Sequence, residues 1–358
     1  MDTHSGSAPA PGESRRTTLA DVARQAGVSK GAASLALNGR TGVSEATRQR
    51  VLAVAEQLHW SPNNAARALS AARSDAIGLV LARPARLLSL EPFYMEFISG
   101  IEAVLATGSL ALLLKVVPDD ETETSTYRKW WTGRRVDGVI VTDVRLNDAR
   151  LPLLAELRLP AVVLGSTPPV GDPAGVTTVW TDDLSAMGSA LRYLVGLGHR
   201  RLARVAGPAV FAHCAARTAA FRSIAADLGL PAPTVVEADF SGEDGARLTR
   251  QLLLAAEPPT AIVYENDVMA VAAVGAAQAV GVRVPQDLSI LAWDDSPLCS
   301  LTHPTVSAMH RDIPEIGRQV ARLLLDAVGG AAPTSLLTAP AELVPRGSTG
   351  PPGQPRHA

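Results

Sequence analysis

Cysteine, aromatic residues and long apolar stretches are all scarce in this chain of 358 residues. The two cysteines, Cys214 and Cys299, lie far apart and outside any zinc or redox spacing, so we expect reduced thiols and no bound metal. No run of about 18 apolar residues is present that could span a bilayer. The residues after Arg15-Arg16 are polar, whereas an export signal would continue with an apolar core. These absences predict a cytoplasmic protein without a membrane partner.

Recognisable catalytic motifs are missing as well. The sequence contains no P-loop, no Gly-x-Ser-x-Gly elbow, no histidines at metal-binding spacing and no glycine fingerprint after a strand. Residues that are scattered along a chain can still converge in a fold, so an enzyme stays an alternative. The absence of every common motif nevertheless favours a protein that is not an enzyme and needs no cofactor.

Charge is almost balanced overall but is distributed unevenly. The formal net charge is −2, yet the first 74 residues hold nine lysines and arginines against five acidic residues. The remainder of the chain is therefore acidic. A basic front segment on an acidic body is typical of a head that binds nucleic acid.

Three short helical patterns occupy residues 18–62, after a small, polar and proline-rich tail (1–17) that we expect to be disordered. Thr18 and Ser29 precede the first two helices and can cap them, and Ser44 opens the third. Gly27 supplies a tight turn between the first and second helices. Two helices joined by such a turn form a helix-turn-helix, although an ordinary helical hairpin shows the same spacing.

Apolar strands alternate with helices from Asp75 onward. Runs such as IGLVLA, VDGVIVTD and LSILAWDD are rich in branched residues and end near glycine, aspartate or proline. Continuous apolar strands separated by helices indicate parallel sheets that are covered on both faces. The strands are too many for one sheet. We therefore expect two doubly wound lobes over residues 75–345, followed by a flexible tail (346–358).

The stretch TLADVARQAGVSKGAASLALNGRTGVSEATRQRVLAVAEQLHWSPNNAARALS resembles the N-terminal signature of the LacI/GalR family of bacterial transcriptional regulators. The resemblance implies an all-α helix-turn-helix head, a hinge helix within residues 63–74 and an α/β bilobed body. That body would resemble periplasmic binding proteins, with two Rossmann-like parallel sheets around a ligand cleft. It further implies a homodimer that binds a near-palindromic operator in double-stranded DNA and responds to a small-molecule effector.

The same resemblance assigns DNA contacts in the head. Lys30, Gly31 and Leu35 match positions that face base edges. Gly31 has no side chain, and Leu35 cannot make the bidentate arginine–guanine contact, which is worth about 1–3 kcal/mol of discrimination. Base recognition would then depend on Lys30 and on contact of Leu35 with a thymine methyl group. The positions that match phosphate contacts are Ser29, Ser34, Asn38, Ser44 and Thr47, and Thr18 completes the predicted set.

The segment PNNAARALS matches the hinge helix of the family. It is too short to be stable as an isolated helix in water, so we expect it to fold when two protomers meet on DNA. Leu69 matches a leucine that is wedged into the central base step, and Asn63, Ala66 and Arg67 would line the minor groove beside it. A plain linker between domains is the alternative.

Polar residues just after the strands are the candidates for an effector site, because ligands of open α/β sheets bind at the carboxyl ends of strands. The predicted effector contacts are Phe93, Tyr94, Arg217, Phe240, Asn266, Trp293 and Asp294, of which Trp293 is an additional stacking candidate. Turn or core roles are the alternative for each. Aromatic faces combined with aspartate, asparagine and arginine favour a carbohydrate, with a nucleobase as the alternative ligand. The predicted function is a repressor of carbohydrate-utilisation genes; a transporter's solute-binding protein would share only the body.

Overall fold

The computed structural model describes residues 17–37, 39–58, 60, 73–84, 91–108, 110–165 and 176–353. The chain divides into two compact units, residues 1–74 and residues 75–358, which we call the head and the body. Several predicted DNA contacts lie outside the described residues. These are Asn38, Asn63, Ala66, Arg67 and Leu69.

The head contains three short helices that share a small apolar core. They are α1 (Leu19–Gln25), α2 (Lys30–Leu37) and α3 (Glu45–Gln57). Alanines fill much of this core, including Ala23 of α1 and Ala33 of α2, and short side chains let the helices approach closely. Gly27 adopts φ 65° in the turn between α1 and α2, a conformation that L-residues with a Cβ rarely take. The helix-turn-helix follows from these two features.

The first lobe of the body is a six-stranded sheet in which every pairing is parallel. Its strands are β1 (Ala76–Ala82), β2 (Ala111–Val117), β3 (Gly138–Val141), β4 (Ala161–Gly165), β5 (Thr177–Trp180) and β11 (Ser335–Leu337). They lie in the order β11-β5-β4-β3-β1-β2. The lobe's helices are α4 (Pro92–Leu105), α5 (Asp120–Thr132), α6 (Arg150–Leu157) and α11 (Ile313–Val328).

The second lobe repeats this architecture. Its strands are β6 (Leu202–Ala206), β7 (Thr234–Glu237), β8 (Ala261–Tyr264), β9 (Ser289–Ala292), β10 (Ser307–His310) and β12 (Glu342–Val344). The order is β12-β10-β9-β8-β6-β7, and β12 pairs antiparallel with β10. The helices are α7 (Asp183–Gly196), α8 (Ala212–Asp227), α9 (Gly242–Leu253) and α10 (Asp267–Ala279). Two mostly parallel sheets confirm the predicted bilobed α/β body.

The chain passes between the two lobes three times. The first passage follows β5 near Thr181, the second joins β10 to α11 near Arg311, and the third joins β11 to β12 near Thr338. α11 packs so closely on α4 that a Cβ atom on Gly100 would lie 2.0 Å from the carbonyl oxygen of Pro314. The second passage is thus held rigidly against the first lobe.

The segment after β12 differs from the predicted flexible tail. Ser348 is fully buried, and its hydroxyl donates to the Ile290 carbonyl at 2.6 Å while accepting from the Ser307 amide at 2.8 Å. Farther along, the Gly353 amide donates to the Gln286 carbonyl at 2.9 Å. Residues 346–353 therefore form a strap along the second lobe, because β9 and β10 offer them backbone and hydroxyl partners. The last five residues lie outside the described part of the chain.

None of the described helices is both long enough and apolar enough to cross a lipid bilayer.

Candidate functional site

The exposed face of α2 carries the predicted base-contacting residues of the head. Lys30 and Gly31 are exposed and Leu35 is half-exposed, whereas Ala33 and Ala36 on the opposite side are buried in the head's core. Leu35 lies over Gly42, at whose position a Cβ atom would be 3.2 Å from the leucine methyl. The face is therefore short, mostly uncharged and partly apolar, as the sequence predicts.

Hydroxyl groups in the head mark the beginnings of its helices. The Ser29 hydroxyl accepts a hydrogen bond from the Ala32 amide at 3.1 Å, and the Ser44 hydroxyl accepts one from the Thr47 amide at 3.3 Å. Thr18 instead donates its hydroxyl to the carboxylate of Asp21 at 2.6 Å. Helix amino ends attract anions, so exposed hydroxyls at these points are well placed for phosphate groups.

A cleft of about 680 Å³, its open mouth included, lies between the lobes of the body. The carboxyl ends of β1, β3 and β4 meet it from one side, and those of β8 and β9 from the other. Six of the seven predicted effector residues line it: Phe93, Tyr94, Arg217, Phe240, Asn266 and Asp294. The sequence analysis likewise expected a ligand site formed by residues that follow the carboxyl ends of the strands.

Arg217 lies at the centre of a buried charge network in the second lobe. Its Nε donates to Asp183 Oδ2 at 2.7 Å, and its Nη1 donates to Glu265 Oε1 at 2.7 Å. Arg204 pairs with the other oxygen of Glu265, which also accepts from the Gly207 amide at 3.2 Å. Burial alone would raise the pKa of the Glu265 carboxyl, but the two guanidinium groups hold it at about 2.

Arg83 is the corresponding cation of the first lobe. Its Nε and Nη2 donate to the two oxygens of Asp143 at 2.8 and 3.0 Å, and the Tyr94 hydroxyl donates to the same carboxylate at 2.6 Å. Burial would raise the pKa of Asp143, but Arg83 holds it below the usual range. The Arg83 guanidinium also lies 4.2 Å from the ring centre of Phe240 and 5.1 Å from that of Phe211. Arg83 thus links the two lobes through cation–π contacts.

Two more carboxylates face the cleft. Asp294 accepts a hydrogen bond at 2.5 Å from Arg311, which lies in the second passage between the lobes. Glu91 lines the cleft beside Arg83, with 3.9 Å between Oε2 and Nη1. Burial raises the pKa of Glu91 to about 7, against the opposing effect of Arg83 and reinforced by Asp143. A cation therefore stabilises the charged form of Glu91 less than it stabilises that of Asp143 or Glu265.

Two predicted effector residues have internal roles in the structure. Asn266 caps α10 by accepting from the Met269 amide at 2.9 Å, and its amide nitrogen donates to the Phe240 carbonyl at 3.0 Å. Trp293 is fully buried in the core of the second lobe and does not line the cleft; its ring lies 4.9 Å from the Arg217 guanidinium. Trp293 directly follows β9, and its ring contacts the Arg217 guanidinium from within the core, while the next residue, Asp294, lines the cleft.

The aromatic side chains differ in how far they reach the cleft. Phe93 is half-buried and stacks on Phe97 with ring centres 5.9 Å apart, whereas Tyr94 and Phe240 are buried within the cleft wall. A Cβ atom on Gly207 would lie 2.5 Å from the Phe240 ring, so the ring's position depends on that glycine. Phe240 itself adopts φ 71°, an unusual backbone conformation that turns its side chain toward the cleft.

Several lining residues were missed by the sequence analysis. They are Arg83, Glu91, Thr142, Asp143, Leu164, Gly165, Thr181, His213, Glu265, Arg311 and Ile316. The sequence pattern could have indicated some of them. Arg83 and Glu265 directly follow an apolar strand, and Asp143 lies one residue farther from the end of its strand. His213 gives no such signal, since it lies in the first turn of α8.

One group of side chains brings potential metal ligands together. Atoms of His213, Cys214 and Glu265 lie within 4.8 Å of one another. Both oxygens of Glu265 already bind arginines, however, and burial raises the pKa of the Cys214 thiol well above its usual value. A neutral thiol beside two guanidinium groups is poorly suited to a cation.

Comparisons with known proteins agree with this architecture. Residues 18–63 match the family described as bacterial regulatory proteins, lacI family, and residues 191–349 match a periplasmic binding protein-like domain. The transcriptional regulator CelR of Thermobifida fusca is 32% identical over 88% of this chain and 93% of its own length.

This chain belongs to the LacI family of bacterial transcriptional regulators.

Two solved structures show how far the likeness of this LacI-family chain extends. A lac repressor dimer bound to operator and the anti-inducer ONPF has a TM-score of 0.81 and 26% identity, over 94% of this chain and all of that one. A CelR–cellobiose complex has a TM-score of 0.71 and 29% identity, over 93% of this chain and all of that one. The expectations of a ligand-responsive DNA-binding regulator, and of a protein that is not an enzyme, are confirmed at the level of the family.

Proposed function

We propose that the protein is a homodimeric, cytoplasmic repressor of carbohydrate-utilisation genes whose operator affinity changes when a sugar occupies the cleft. The observation that carries this proposal is the chemistry of the cleft wall. Arg217 and Asp294 present fixed polar groups, and Phe93 and Phe240 supply aromatic surface beside them. Sugars combine hydroxyl groups, which suit such polar groups, with apolar CH faces, which suit aromatic rings.

The similarity to the CelR–cellobiose complex supports a sugar over a nucleobase.

DNA binding in the proposal depends on the head and on the hinge. Lys30 and Leu35 would meet base edges, while Ser29, Ser34, Ser44 and Thr47 would meet phosphates. In the hinge, which lies outside the described residues, Leu69 would be wedged between base pairs. The lac repressor dimer bound to operator supports a dimer on a two-fold site, because two-fold proteins match palindromic half-sites.

Coupling between cleft and operator would operate through the contacts between the lobes. The Leu146 amide donates to the Val210 carbonyl at 2.9 Å, and the Ala212 amide donates to the Val144 carbonyl at 2.7 Å, so two loops from different lobes pair directly. A sugar that binds one arrangement of the lobes better than another shifts the population between them. The same free energy then appears as a change in operator affinity.

The test is a mobility-shift assay on fragments from upstream of carbohydrate-utilisation genes, with and without candidate sugars. We expect one fragment to be bound specifically and one sugar to change its affinity. Failure to bind any upstream fragment would contradict the repressor, and binding that no sugar alters would contradict the sugar effector.

A further inference from the structure

The first-lobe wall of the cleft contains an incompletely paired arginine and glutamate. Arg83 Nη1 and Glu91 Oε2 are both buried and have no hydrogen-bond partner among the described residues. The two atoms are 3.9 Å apart, too far for a hydrogen bond to each other. Buried polar groups usually have partners, so a donor and an acceptor left open at the cleft wall indicate a ligand that supplies them.

The remaining charges of the cleft are matched to one another. Arg83 is neutralised by Asp143 through two hydrogen bonds, and Arg217 is shared between Asp183 and Glu265. Asp294 and Arg311 form a third pair, in which the Nε of Arg311 is buried without a hydrogen-bond partner among the described residues. Glu91 is the carboxylate that remains, because its nearest cation already has a closer partner. The described lining residues thus offer an incoming anion no unpaired cation.

His213 does not alter this balance. Its ring packs against those of Phe211 and Phe240, with centres 5.8 and 6.4 Å away, and burial lowers its pKa, so the ring is neutral near pH 7. Asp267, which lies near Asp294 at the edge of the cleft, adds further acidic character. An anionic ligand would therefore meet carboxylates that no cation of the cleft fully compensates.

We propose that Arg83 and Glu91 select uncharged sugars by binding one hydroxyl group between Nη1 and Oε2, and that Glu91 excludes sugar phosphates and sugar acids. A hydroxyl group provides both missing hydrogen bonds at once, because its oxygen accepts one from Arg83 Nη1 and its hydrogen is donated to Glu91 Oε2. A phosphate or carboxylate in the same place could accept from Arg83 but would oppose the negative charge that Glu91 carries above its pKa of about 7. This inference rests on the proposed sugar-responsive function and narrows its ligand class.

The test uses thermal-shift and calorimetric titration of the full-length protein with matched probes at pH 8, above the pKa of Glu91. The neutral probes are glucose, galactose and cellobiose. Their anionic counterparts are glucose 6-phosphate and glucuronate for glucose, galacturonate for galactose and cellobionate for cellobiose. We expect at least one neutral sugar to bind, and its anionic counterpart to bind at least about tenfold more weakly. Equal or tighter binding of the anionic counterpart would overturn the selectivity while leaving the sugar-responsive regulator intact.

The variant Glu91→Gln separates a charge effect from a packing effect, because glutamine keeps the shape and one acceptor but removes the charge. We expect the neutral sugar to bind a few-fold more weakly and the anionic counterpart to bind more tightly, so that the selectivity ratio falls toward one. Glu102→Gln, at an exposed position of α4, the helix that Glu91 directly precedes, should keep the wild-type ratio. An unchanged ratio in Glu91→Gln would overturn the assignment. Binding of no sugar of either class to the wild type would contradict the proposed function as well.

Discussion

The polar side chains of the head and those of the cleft differ in how far they are committed to partners within the chain. On the face of α2, Lys30 is exposed and the Ser29 hydroxyl holds only its own helix end. In the cleft, Arg83 and Arg217 are buried and held by carboxylates from distant strands. The head can therefore bind phosphates without breaking any internal ion pair, whereas a ligand of the cleft must fit around a network that already exists.

This difference also decides what the sequence could predict. Local patterns were sufficient for the three head helices and for the alternation of strands and helices in the body. The helix-turn-helix needed the family resemblance as well, because an ordinary helical hairpin has the same spacing. Arg217, Phe240 and Asp294 were found because each matches a family position, and all three line the cleft. The partners of Arg217 could not be found in this way, since Asp183 and Glu265 are 34 and 48 positions away and meet it only through the sheet order.

Trp293 and the C-terminal strap illustrate the same limit. Trp293 is next to Asp294, yet in the bend that follows β9 the tryptophan enters the core while the aspartate lines the cleft. The composition of residues 346–353 indicates a mobile tail, but the edge of the second lobe provides partners for Arg346 and Ser348. Composition alone does not reveal a partner elsewhere in the fold.

Removal of the most committed carboxylate should have the largest effect. Glu265→Ala would leave Arg204 fully buried without its carboxylate, and breaking a buried ion pair from one side costs about 3–5 kcal/mol. We expect a loss of this size in the free energy of unfolding, measured by urea denaturation. Glu257→Ala, at an exposed position, should change the stability by less than about 0.5 kcal/mol. A similar small loss in both variants would show that the network is not buried in solution.

The incompletely paired Glu91 differs from Glu265 in the direction of its pKa shift. It should make the free energy of unfolding fall as the pH rises. Its pKa is raised from 4.5 to about 7 in the folded protein, so the folded state binds the proton more tightly than the unfolded state. The protein should lose up to about 3 kcal/mol from this group between pH 4.5 and 7. Glu91→Gln should abolish this part of the pH dependence, as measured by denaturation across that range.

A matched measurement on Glu102→Gln distinguishes this group from the other acids of the chain. That variant should retain the wild-type pH profile. If Glu91→Gln and Glu102→Gln show the same pH dependence of stability, the pKa of Glu91 is not raised by burial. The distinction between Glu91 and the paired carboxylates of the cleft would then be wrong.

In the head, a new charged side chain should change specificity rather than stability. Leu35→Arg adds a side chain that can bind guanine through two hydrogen bonds, worth about 1–3 kcal/mol of discrimination. We expect guanine to become preferred at one position of each half-site, measured by selection from a randomised operator pool. Leu35→Ala serves as the control and should gain no such preference. An unchanged selection by Leu35→Arg would show that residue 35 does not face the bases.

The smallest effect concerns the strap, where LVPRGS (Leu343–Ser348) spells a thrombin cleavage motif. Exposure of the sequence in a flexible tail would permit cleavage after Arg346. In the structure, the Arg346 guanidinium donates to both oxygens of Asp295 at 2.6 and 3.0 Å, which keeps it from a protease pocket. We expect the intact mass to be unchanged after digestion, and Asp295→Ala to be cleaved faster. Rapid cleavage of the wild type would show that the strap is open in solution.

The central claim is that a sugar bound among the buried ion pairs of the cleft controls a DNA-binding head whose ion pairs, such as Arg24–Asp21, are exposed. Its most direct test is the operator affinity of the wild type and of Asp294→Ala, measured by fluorescence anisotropy with and without the neutral sugar that binds best. We predict that the sugar changes the wild-type affinity by about 5- to 150-fold. Asp294→Ala should bind the operator normally and not respond. A variant that responds like the wild type, or a wild type that does not respond, would contradict the account.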